Sequence, residues 1–444
     1  MEEVSRSQTA SADKDSANKE EQGRHAALER AHRIRELLAE HVSYRESCLN
    51  LVAAENVLSP DARALLSSEL VHRYADYTGR DLRARRYLGT RFIVGLEEEV
   101  HALLRELFRV AYVEPRALSG HIAGAASVMA FTRPGDVVLE LDSPSGGHRI
   151  AEKLNATHYA QLDVRPLPFD PVGYTVDPGR TIEIAHRVRP RVIILGSSLF
   201  LFPHPVAEIA SGLADLQDTL LCYDASHVLG LIAGGQFQDP LSEGAALMWA
   251  STHKSFPGPP GGLVMTQREG LINSISEAIY PGLVTNHHPG RMPALGLAAA
   301  EMIVHGRAYA AAIVRNAQRL GAELAARDVP VVGAARGYTQ SHTLVLATGS
   351  FGSSAELGAR LEEAGMITTP AKVPPELGAG AIRLGLQELT RRGAVADDMP
   401  LIAGFIADVL TKRRRAEEVR SQTRELATSF SRIRYTLDDP SPGD

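Results

Sequence analysis

The sequence of 444 residues is poor in cysteine and carries little net charge, and each shortage excludes a class of protein. Its 2 cysteines, Cys48 and Cys222, are too few and too far apart for a disulfide framework or a thiolate zinc site. A reducing, cytoplasmic compartment therefore fits best. Lys and Arg number 47 against 53 Asp and Glu, so a formal charge of -6 predicts no basic surface for a nucleic-acid partner.

Long apolar runs are also missing. No stretch approaches the roughly 18 consecutive apolar residues of a membrane span, and no apolar core follows the charges of the N-terminus, so we predict neither a membrane span nor a secretion signal. The adjacent His287 and His288 are the nearest approach to a metal-binding pair, but neighbouring side chains need not converge. We interpret this pair as a loop feature and predict no metal.

The apolar pattern divides the chain into two tails, an arm and two domains. Residues 1–24 are rich in Ser, Ala and charge without an apolar period, so we predict a disordered tail, because burial cannot offset the entropy of ordering it. Apolar residues at helical spacing follow, which predicts an N-terminal helical arm over 25–64. We place a large cofactor-binding domain over 65–310, a small C-terminal domain over 311–430 and a second tail over 431–444.

Short apolar runs alternate with helical segments between about residues 118 and 270. The runs at 137–139, 192–195 and 220–223 are continuously apolar, which is typical of parallel strands covered on both faces. We therefore predict an α/β fold with a mostly parallel central sheet, whose ligand binds beyond the carboxyl ends of the strands. A helix over about 292–326 would connect it to an α+β domain containing strands at 343–346 and 382–384.

Lys254 and Asp224 carry the most informative chemistry. Lys254 lies among hydroxyl and imidazole groups just before a Pro/Gly-rich turn, a setting for an amine nucleophile with a lowered pKa. Asp224 ends an apolar run upstream of it. Such an acid can pair with a protonated pyridine nitrogen while the lysine holds an aldehyde as a Schiff base. The pair predicts a pyridoxal phosphate site.

Further candidates agree with this site. Ser119 precedes an Ala-rich helix whose free N–H groups could bind a phosphate. His148 follows two glycines, so its imidazole could project over the cofactor ring. Arg383 lies on a predicted strand, where its planar guanidinium would suit capture of a substrate carboxylate. We also count Ser198 among the candidate substrate contacts.

In order and spacing these motifs resemble the serine hydroxymethyltransferase family of fold-type I pyridoxal phosphate enzymes, over about residues 30–430. The resemblance implies that fold, with a smaller C-terminal α+β domain. The motifs that carry it are Ala54-Glu55-Asn56, Arg73-Tyr74-Ala75-Asp76, Arg86-Tyr87-Leu88-Gly89, Leu118-Ser119-Gly120, Gly146-Gly147-His148, Asp224 with His227, Thr252-His253-Lys254 and Ile382-Arg383-Leu384-Gly385.

The resemblance also implies a role for each matched residue. It implies that each site is built from two subunits of a homodimer, or of a tetramer, with Tyr74 and Asp76 supplied by the partner. Tyr74, Ser198 and Arg383 would contact the substrate. The catalytic candidates are Lys254, His148, Asp76 and Tyr74, and the cofactor-binding candidates are Ser119, Gly120, His121, His148, Asp224, His227, Thr252, His253 and Lys254.

The sequence departs from the family at several positions. Asp76 stands where the family usually has Glu, and Leu88 where it has a second Tyr. The segment that normally helps to hold folate is the short 368–375 here, which argues against folate use. Several segments, among them 339–342 and 382–393, resemble instead the L-threonine transaldolases of antibiotic biosynthesis.

We therefore predict a transaldolase of secondary metabolism. It would cleave L-threonine to acetaldehyde and transfer the remaining glycyl unit to an acceptor aldehyde, with Asp76 or His148 as the base at the hydroxyl. A serine hydroxymethyltransferase, a threonine aldolase and a lyase that eliminates a thiol from a cysteine S-conjugate stay open as alternatives. Outside the enzymes, the alternative is a non-catalytic paralogue, against which the presence of both Lys254 and Asp224 argues.

Overall fold

The computed structural model describes residues 2–158, 160–378 and 380–440, with the backbone alone for residues 2–17. Its helices are α1 (Glu2–Glu46), α2 (Pro60–Leu65), α3 (Arg91–Phe108), α4 (Gly120–Phe131), α5 (Ile150–Ala156), α6 (Pro178–Val188), α7 (Val206–Gly212), α8 (Leu229–Ala233), α9 (Glu269–Glu277), α10 (Met292–Ala325), α11 (Ser354–Glu363), α12 (Gln387–Arg391), α13 (Met399–Leu410) and α14 (Ala416–Ser429). Its strands are β1 (Leu49–Asn50), β2 (Tyr112–Glu114), β3 (Val137–Glu140), β4 (Asp163–Pro166), β5 (Phe169–Asp170), β6 (Thr175–Val176), β7 (Val192–Leu195), β8 (Leu220–Asp224), β9 (Leu247–Ser251), β10 (Gly262–Thr266), β11 (Thr343–Ala347), β12 (Met366–Ile367), β13 (Thr369–Ala371) and β14 (Ala381–Gly385).

A seven-stranded sheet forms the centre of the molecule, in the order β2-β10-β9-β8-β7-β3-β4. Strand β10 runs antiparallel to both of its neighbours, and the other neighbouring pairs are parallel. Strands β7 and β9 are buried along their whole length, because helices cover both faces of the sheet. The predicted α/β fold with a mostly parallel central sheet is confirmed.

Alternate residues of each strand enter different apolar cores. On one face, Ile193 and Tyr223 pack with α3 and α10, and on the other, Ile194 and Trp249 pack with α4. At Gly124 of α4 a Cβ would lie 2.8 Å from the Trp249 ring nitrogen, so this helix approaches the sheet as closely as a glycine permits. Because β7, β8 and β9 are parallel, their carboxyl ends meet at one edge of the sheet.

Helix α10 joins the two halves of the molecule. The helical stretch Pro289–Ala325 is long and apolar enough to span a membrane, but 56% of its most apolar window is buried, as in a core helix. Its residues up to Ile313 pack in the core of the central sheet, and those from Ala317 onward pack in the core of the small domain. The two cores thus separate within one continuous helix, between Ile313 and Ala317. The small domain contains the antiparallel sheet β11-β14-β13.

The N-terminal region differs from the prediction of a disordered tail over 1–24. Helix α1 begins at Glu2 and continues to Glu46, and Met1 lies outside the described residues. Residues 2–24 contain no Pro and a single Gly, and a helix satisfies its backbone hydrogen bonds internally without burial. The predicted arm over 25–64 is helical only in part, because Leu49 and Leu51 enter the core of the small domain.

The C-terminal segment also differs from a free tail. Tyr435 packs on Tyr309 of α10 with ring centroids 5.0 Å apart, and its peptide oxygen accepts a hydrogen bond from Arg391 at 2.6 Å. Tyr435 therefore contacts the body of the protein, whereas residues 441–444 lie outside the described part of the chain. The partly buried aromatic ring of Tyr435 packs against the core of the central sheet and so holds this segment in place.

Candidate active site

Lys254 lies at the carboxyl edge of the central sheet, three residues after β9. The loop that carries it is closed by two hydrogen bonds: Thr252 Oγ1 donates to Pro259 O at 2.6 Å, and Gly258 N donates to Thr252 O at 2.9 Å. A Cβ at Gly258 would lie 2.6 Å from Thr252 O, so the closure requires glycine. The Thr252 hydroxyl therefore acts within the loop, which holds the lysine in place.

The Lys254 amine has few partners and a lowered pKa. Its Nζ donates to Ser251 Oγ at 2.9 Å. Burial lowers the pKa of Lys254 and Arg383 lowers it further, whereas Asp224 opposes both. A lysine with a lowered pKa carries more of the neutral amine, which is the nucleophilic form.

Asp224 ends the neighbouring parallel strand β8 and is buried. Its Oδ1 accepts a hydrogen bond from Ser226 N at 2.9 Å, and Ser226 Oγ accepts one from Ser251 N at 3.0 Å. These bonds tie the ends of β8 and β9 together. The carboxylate and the amine therefore lie at the same carboxyl edge of the sheet, where such folds bind ligands, and this edge is the cleft of the candidate site.

The first turn of α4 borders this cleft. Ser119 is the N-cap, and its Oγ accepts a hydrogen bond from Ile122 N at 3.1 Å. A Cβ at Gly120 would lie 2.3 Å from Ser251 Oγ, so only glycine lets the helix start this close to the lysine loop. Free N–H groups at a helix N-terminus form a natural phosphate site, and His121 follows in the same turn.

Two imidazoles lie together at the mouth of the cleft. His121 Nδ1 is 3.3 Å from His148 Nε2, and the rings meet edge to face. Desolvation by the cleft walls lowers the pKa of His148 to about 4, and Lys153 and Lys254 add to this effect. His148 is therefore neutral near pH 7, which suits an imidazole that stacks on an aromatic ring or accepts a proton.

A second pair of imidazoles lies deeper. His227 stacks on His342 with the ring planes 15° apart and the centroids 6.1 Å apart. Burial, with Lys254 adding to it, lowers the pKa of His227 well below its usual value. Within the described residues, Nδ1 of His227 and Nδ1 of the neighbouring His253 have no hydrogen-bond partner. These nitrogens are free to meet a bound ligand.

Arg383 reaches the cleft from the small domain. It lies on β14, and its Nη1 donates to the peptide oxygen of Ser198 at 2.8 Å. The Ser198 hydroxyl instead donates to Gly146 O at 2.9 Å, so Ser198 supports the arginine through its backbone. Nε of Arg383 has no partner within the described chain, and burial lowers the pKa of the guanidinium. The unpaired edge can bind a carboxylate.

Tyr74 and Asp76 lie outside this cleft. Tyr74 is 52% exposed and packs on Tyr87 with ring centroids 5.4 Å apart. Asp76 is only 2% exposed, and its Oδ1 lies 3.5 Å from His287 Nδ1. Within one chain the structure does not bring either residue to Lys254. The sequence could not anticipate the inward position of Asp76, because its partner His287 is distant in the chain.

Asp76 belongs to a buried charge cluster formed with Arg85, Glu97 and His287. His287 Nε2 lies 2.7 Å from Glu97 Oε1, and Arg85 Nη2 donates to Glu97 Oε2 at 2.6 Å. Burial lowers the pKa of His287, but its carboxylate partners Asp76 and Glu97 outweigh this and raise it. Burial raises the pKa of Glu97, but His287 and Arg85 outweigh this and lower it. His287 is thus occupied by these carboxylates. The charge cluster fixes the segment that presents Tyr74 at the surface.

Sequence reasoning missed two residues of the site as functional candidates. His342 stacks on His227, and Asn56 Nδ2 donates to the peptide oxygen of Lys254 at 2.7 Å. Both stood inside motifs that carried the family resemblance, at 339–342 and 54–56. Their place in these motifs is the sequence signal that could have identified His342 and Asn56, since neither residue lies near Lys254 in the chain.

Comparison with known proteins shows the same type of enzyme. The family model for serine hydroxymethyltransferase matches residues 29–406. A serine hydroxymethyltransferase of Methanopyrus kandleri is 39% identical over 92% of this chain and 95% of its own length, and one of Methanosphaera stadtmanae is 35% identical over 94% and 98%. A crystal structure of L-threonine transaldolase from Pseudomonas fluorescens, in the internal aldimine state, matches with a TM-score of 0.86 and 30% identity over 94% of this chain and 95% of that one.

The residues of the cleft fit pyridoxal phosphate, the cofactor predicted from Lys254 and Asp224. A half-buried amine can hold the aldehyde, and a buried carboxylate can pair with the ring nitrogen. The first turn of α4 can bind the phosphate. The partnerless nitrogen of His227 offers a further polar contact in the same cleft.

Proposed function

Since the chain belongs to the serine hydroxymethyltransferase family and is a pyridoxal phosphate-dependent transferase, we propose that it is an L-threonine transaldolase. The reaction would convert L-threonine and an acceptor aldehyde into acetaldehyde and a new β-hydroxy amino acid. Members of the family act on small amino-acid substrates and are typically oligomeric. The likeness to the Pseudomonas fluorescens transaldolase, over nearly the whole chain, is the observation that carries this proposal.

Arg383 and Lys254 bind and orient the amino acid in this proposal. Nε of Arg383, which has no partner within the described chain, holds the substrate carboxylate. The positive charge of Arg383 also lowers the pKa of the Lys254 amine. When bound, the cofactor supplies an electron sink for the bond that breaks at Cα, and Asp224 keeps its ring nitrogen protonated. Because Arg383 fixes the substrate carboxylate, it also determines which bond at Cα is aligned for cleavage.

We assign the proton transfer at the substrate hydroxyl to His148. Its ring is neutral near pH 7 and so has a nitrogen that can accept a proton, and it lies beside His121 at the mouth of the cleft. Asp76, the other candidate, faces His287 inside its own chain. As the hydroxyl loses its proton, the Cα–Cβ bond breaks and acetaldehyde leaves. The electron pair at Cα then forms a bond to the acceptor carbonyl carbon, whose oxygen takes up the proton.

A second subunit completes the proposed assembly. Helix α1 exposes large apolar side chains, with Leu28 at 53%, Ile34 at 68% and Leu38 at 63%, as expected of a face that another chain covers. The exposed Tyr74 would reach the partner's cleft from the segment that the charge cluster fixes. A homodimer, its association into tetramers and a cytoplasmic location remain predictions.

The test is to supply the holoenzyme with L-threonine, with and without benzaldehyde, and to identify the products by mass spectrometry. We expect acetaldehyde in both cases and a phenyl-substituted β-hydroxy amino acid only with benzaldehyde. Conversion of threonine to glycine without incorporation of benzaldehyde would instead identify an aldolase. Release of pyruvate and a thiol from an S-alkyl cysteine would identify the lyase.

Serine hydroxymethyltransferase is the second candidate, favoured by the names of the sequence relatives. Turnover of L-serine that requires tetrahydrofolate, with none of L-threonine, would establish it and contradict the transaldolase. The segment 368–375 argues the other way. It contributes the short edge strand β13, in which Thr369 pairs with Arg383, and this leaves few residues to hold a large second substrate.

A further inference from the structure

We infer that Asn56 and Tyr309 are positioning residues that set the distance between Lys254 and Arg383. The two site residues belong to different parts of the fold, since Lys254 follows β9 of the central sheet and Arg383 lies on β14 of the small domain. An amino acid must reach both at once, so contacts between the two parts have to fix their spacing. The inference rests on the proposed roles of Lys254 and Arg383, and it is independent of the acceptor aldehyde.

Asn56 contacts the backbone that carries Lys254. Its Nδ2 donates to the peptide oxygen of Lys254 at 2.7 Å and lies 3.4 Å from that of Ser255. Its Oδ1 accepts a hydrogen bond from Val57 N at 2.9 Å. The side-chain amide therefore has a partner on each side, which fixes its orientation. Asn56 acts on the lysine through its main chain.

The segment that contains Asn56 also contacts the end of β14. Gln387, the first residue of α12, is fully buried, and its Nε2 donates to Val52 O at 2.8 Å and to Glu55 O at 2.6 Å. At Gly385, the last residue of β14, a Cβ would lie 2.3 Å from Ala53 Cα. The strand that carries Arg383 is thus pressed against residues 52–56 with no space between them.

Tyr309 closes these contacts into a ring. It lies on α10, fully buried, and its hydroxyl accepts a hydrogen bond from Asn56 Nδ2 at 2.9 Å. The same hydroxyl donates to the peptide oxygen of Gln387 at 2.9 Å. The ring runs from Gln387 to Glu55, along the chain to Asn56, and through Tyr309 back to Gln387. Because every member has two connections, the small domain cannot shift relative to the lysine loop without breaking one of them.

Removal of the Tyr309 hydroxyl tests the ring with little change in packing. For Tyr309→Phe we expect the dissociation constant of glycine, measured by the absorbance change of the holoenzyme, to rise about 10-fold. The affinity of the apoenzyme for the cofactor should stay unchanged, because Asn56 still holds Lys254. For Asn56→Ala both affinities should weaken, and adding Tyr309→Phe to it should weaken glycine binding little further, since the ring is already open.

Asn316→Ala is the matched control. Asn316 is a buried asparagine on the same helix, and it donates to Thr390 Oγ1 at 2.9 Å and to Ala394 O at 3.0 Å, with no link to the lysine loop. We expect this variant to lower the melting temperature but to leave glycine binding unchanged. If Tyr309→Phe and Asn56→Ala behave like this control, their role is structural and the inference is wrong.

Arg383→Ala separates failure of the inference from failure of the site. Loss of glycine binding in Arg383→Ala, together with normal binding in the Asn56 and Tyr309 variants, would refute the positioning ring alone. Normal glycine binding in Arg383→Ala would refute the proposed carboxylate site, and the ring would then have nothing to position. Weakened binding in all three variants, with the control unaffected, is the expected result.

Discussion

The cleft around Lys254 and the buried charge cluster both contain basic, acidic and imidazole side chains, but the two regions differ in how these groups are paired. In the charge cluster, Glu97 lies 2.7 Å from His287 and 2.6 Å from Arg85, so opposite charges meet. In the cleft, Lys254 donates to a neutral hydroxyl, and His227 Nδ1 has no partner within the described chain. Paired opposite charges are expected where a scaffold is held, and an amine without a carboxylate partner is expected where a ligand binds. The contrast lies in this charge pairing, since Asp76 Oδ1, Arg85 Nε and His287 Nδ1 of the cluster also lack a hydrogen-bond partner within the described residues.

The largest effect should come from the cleft. Lys254→Ala removes the amine that would hold the cofactor, so we expect activity to fall by at least about 10³-fold and the long-wavelength absorbance of the bound cofactor to disappear. Unfolding by urea should change little, because the amine contributes only one hydrogen bond, to Ser251. Lys412→Ala, at an exposed lysine, is the control. Full activity in Lys254→Ala would contradict the assignment of the site.

The charge cluster should respond in stability rather than in cofactor absorbance. Glu97→Gln leaves Arg85 and His287 without their shared carboxylate in a buried setting, and we expect a loss of about 3–5 kcal/mol in the free energy of unfolding. Urea denaturation measures this loss. Glu98→Gln is the matched control, since its partner Arg83 is well exposed and such a pair contributes about 1 kcal/mol or less. Equal losses of unfolding free energy in the two variants would contradict the prediction that the buried cluster stabilises the protein more than the exposed pair does.

A smaller effect should appear in the pH dependence of stability. The pKa of His287 is raised above 6.5, so its stabilisation is complete below pH 6.5 and is lost as the pH rises through the folded value. The pKa of Glu97 is lowered below 4.5, so its stabilisation is present above pH 4.5 and is lost as the pH falls through the folded value. Wild type should exceed His287→Gln in stability most between pH 4.5 and 6.5. A difference that stays constant from pH 5 to 9 would exclude a charged His287.

The positions of the main cleft residues could be predicted because each follows a local signal. Asp224 and Lys254 come at or just after apolar strands, and Ser119 precedes an Ala-rich helix. In a parallel sheet such positions meet at one edge, so local pattern and topology were enough to bring them together. Arg383 was predicted as a strand residue of the small domain, where the structure places it.

The inward position of Asp76 and the contacts of Asn56 could not be predicted in this way. Both depend on residues far along the chain, His287 for Asp76 and Lys254 with Tyr309 for Asn56. Hydrophobic period and capping signals act over a few residues, and they carry no information about which distant side chain fills a given hydrogen bond. The helix that begins at Glu2 could not be predicted for another reason: residues 2–24 have no apolar period, and a helix can form there without burying side chains.

The sequence by itself determined the α/β fold class, the pyridoxal phosphate cofactor and the family, because these depend on residue type and local spacing. Tertiary structure alone decided which carboxylates are paired and which groups stay open to a ligand. It also decided how the small domain is attached to the lysine loop. The physical reason is that burial and hydrogen-bond partners are set by packing between distant segments, and a side chain of given chemistry becomes a scaffold or a site only through those partners.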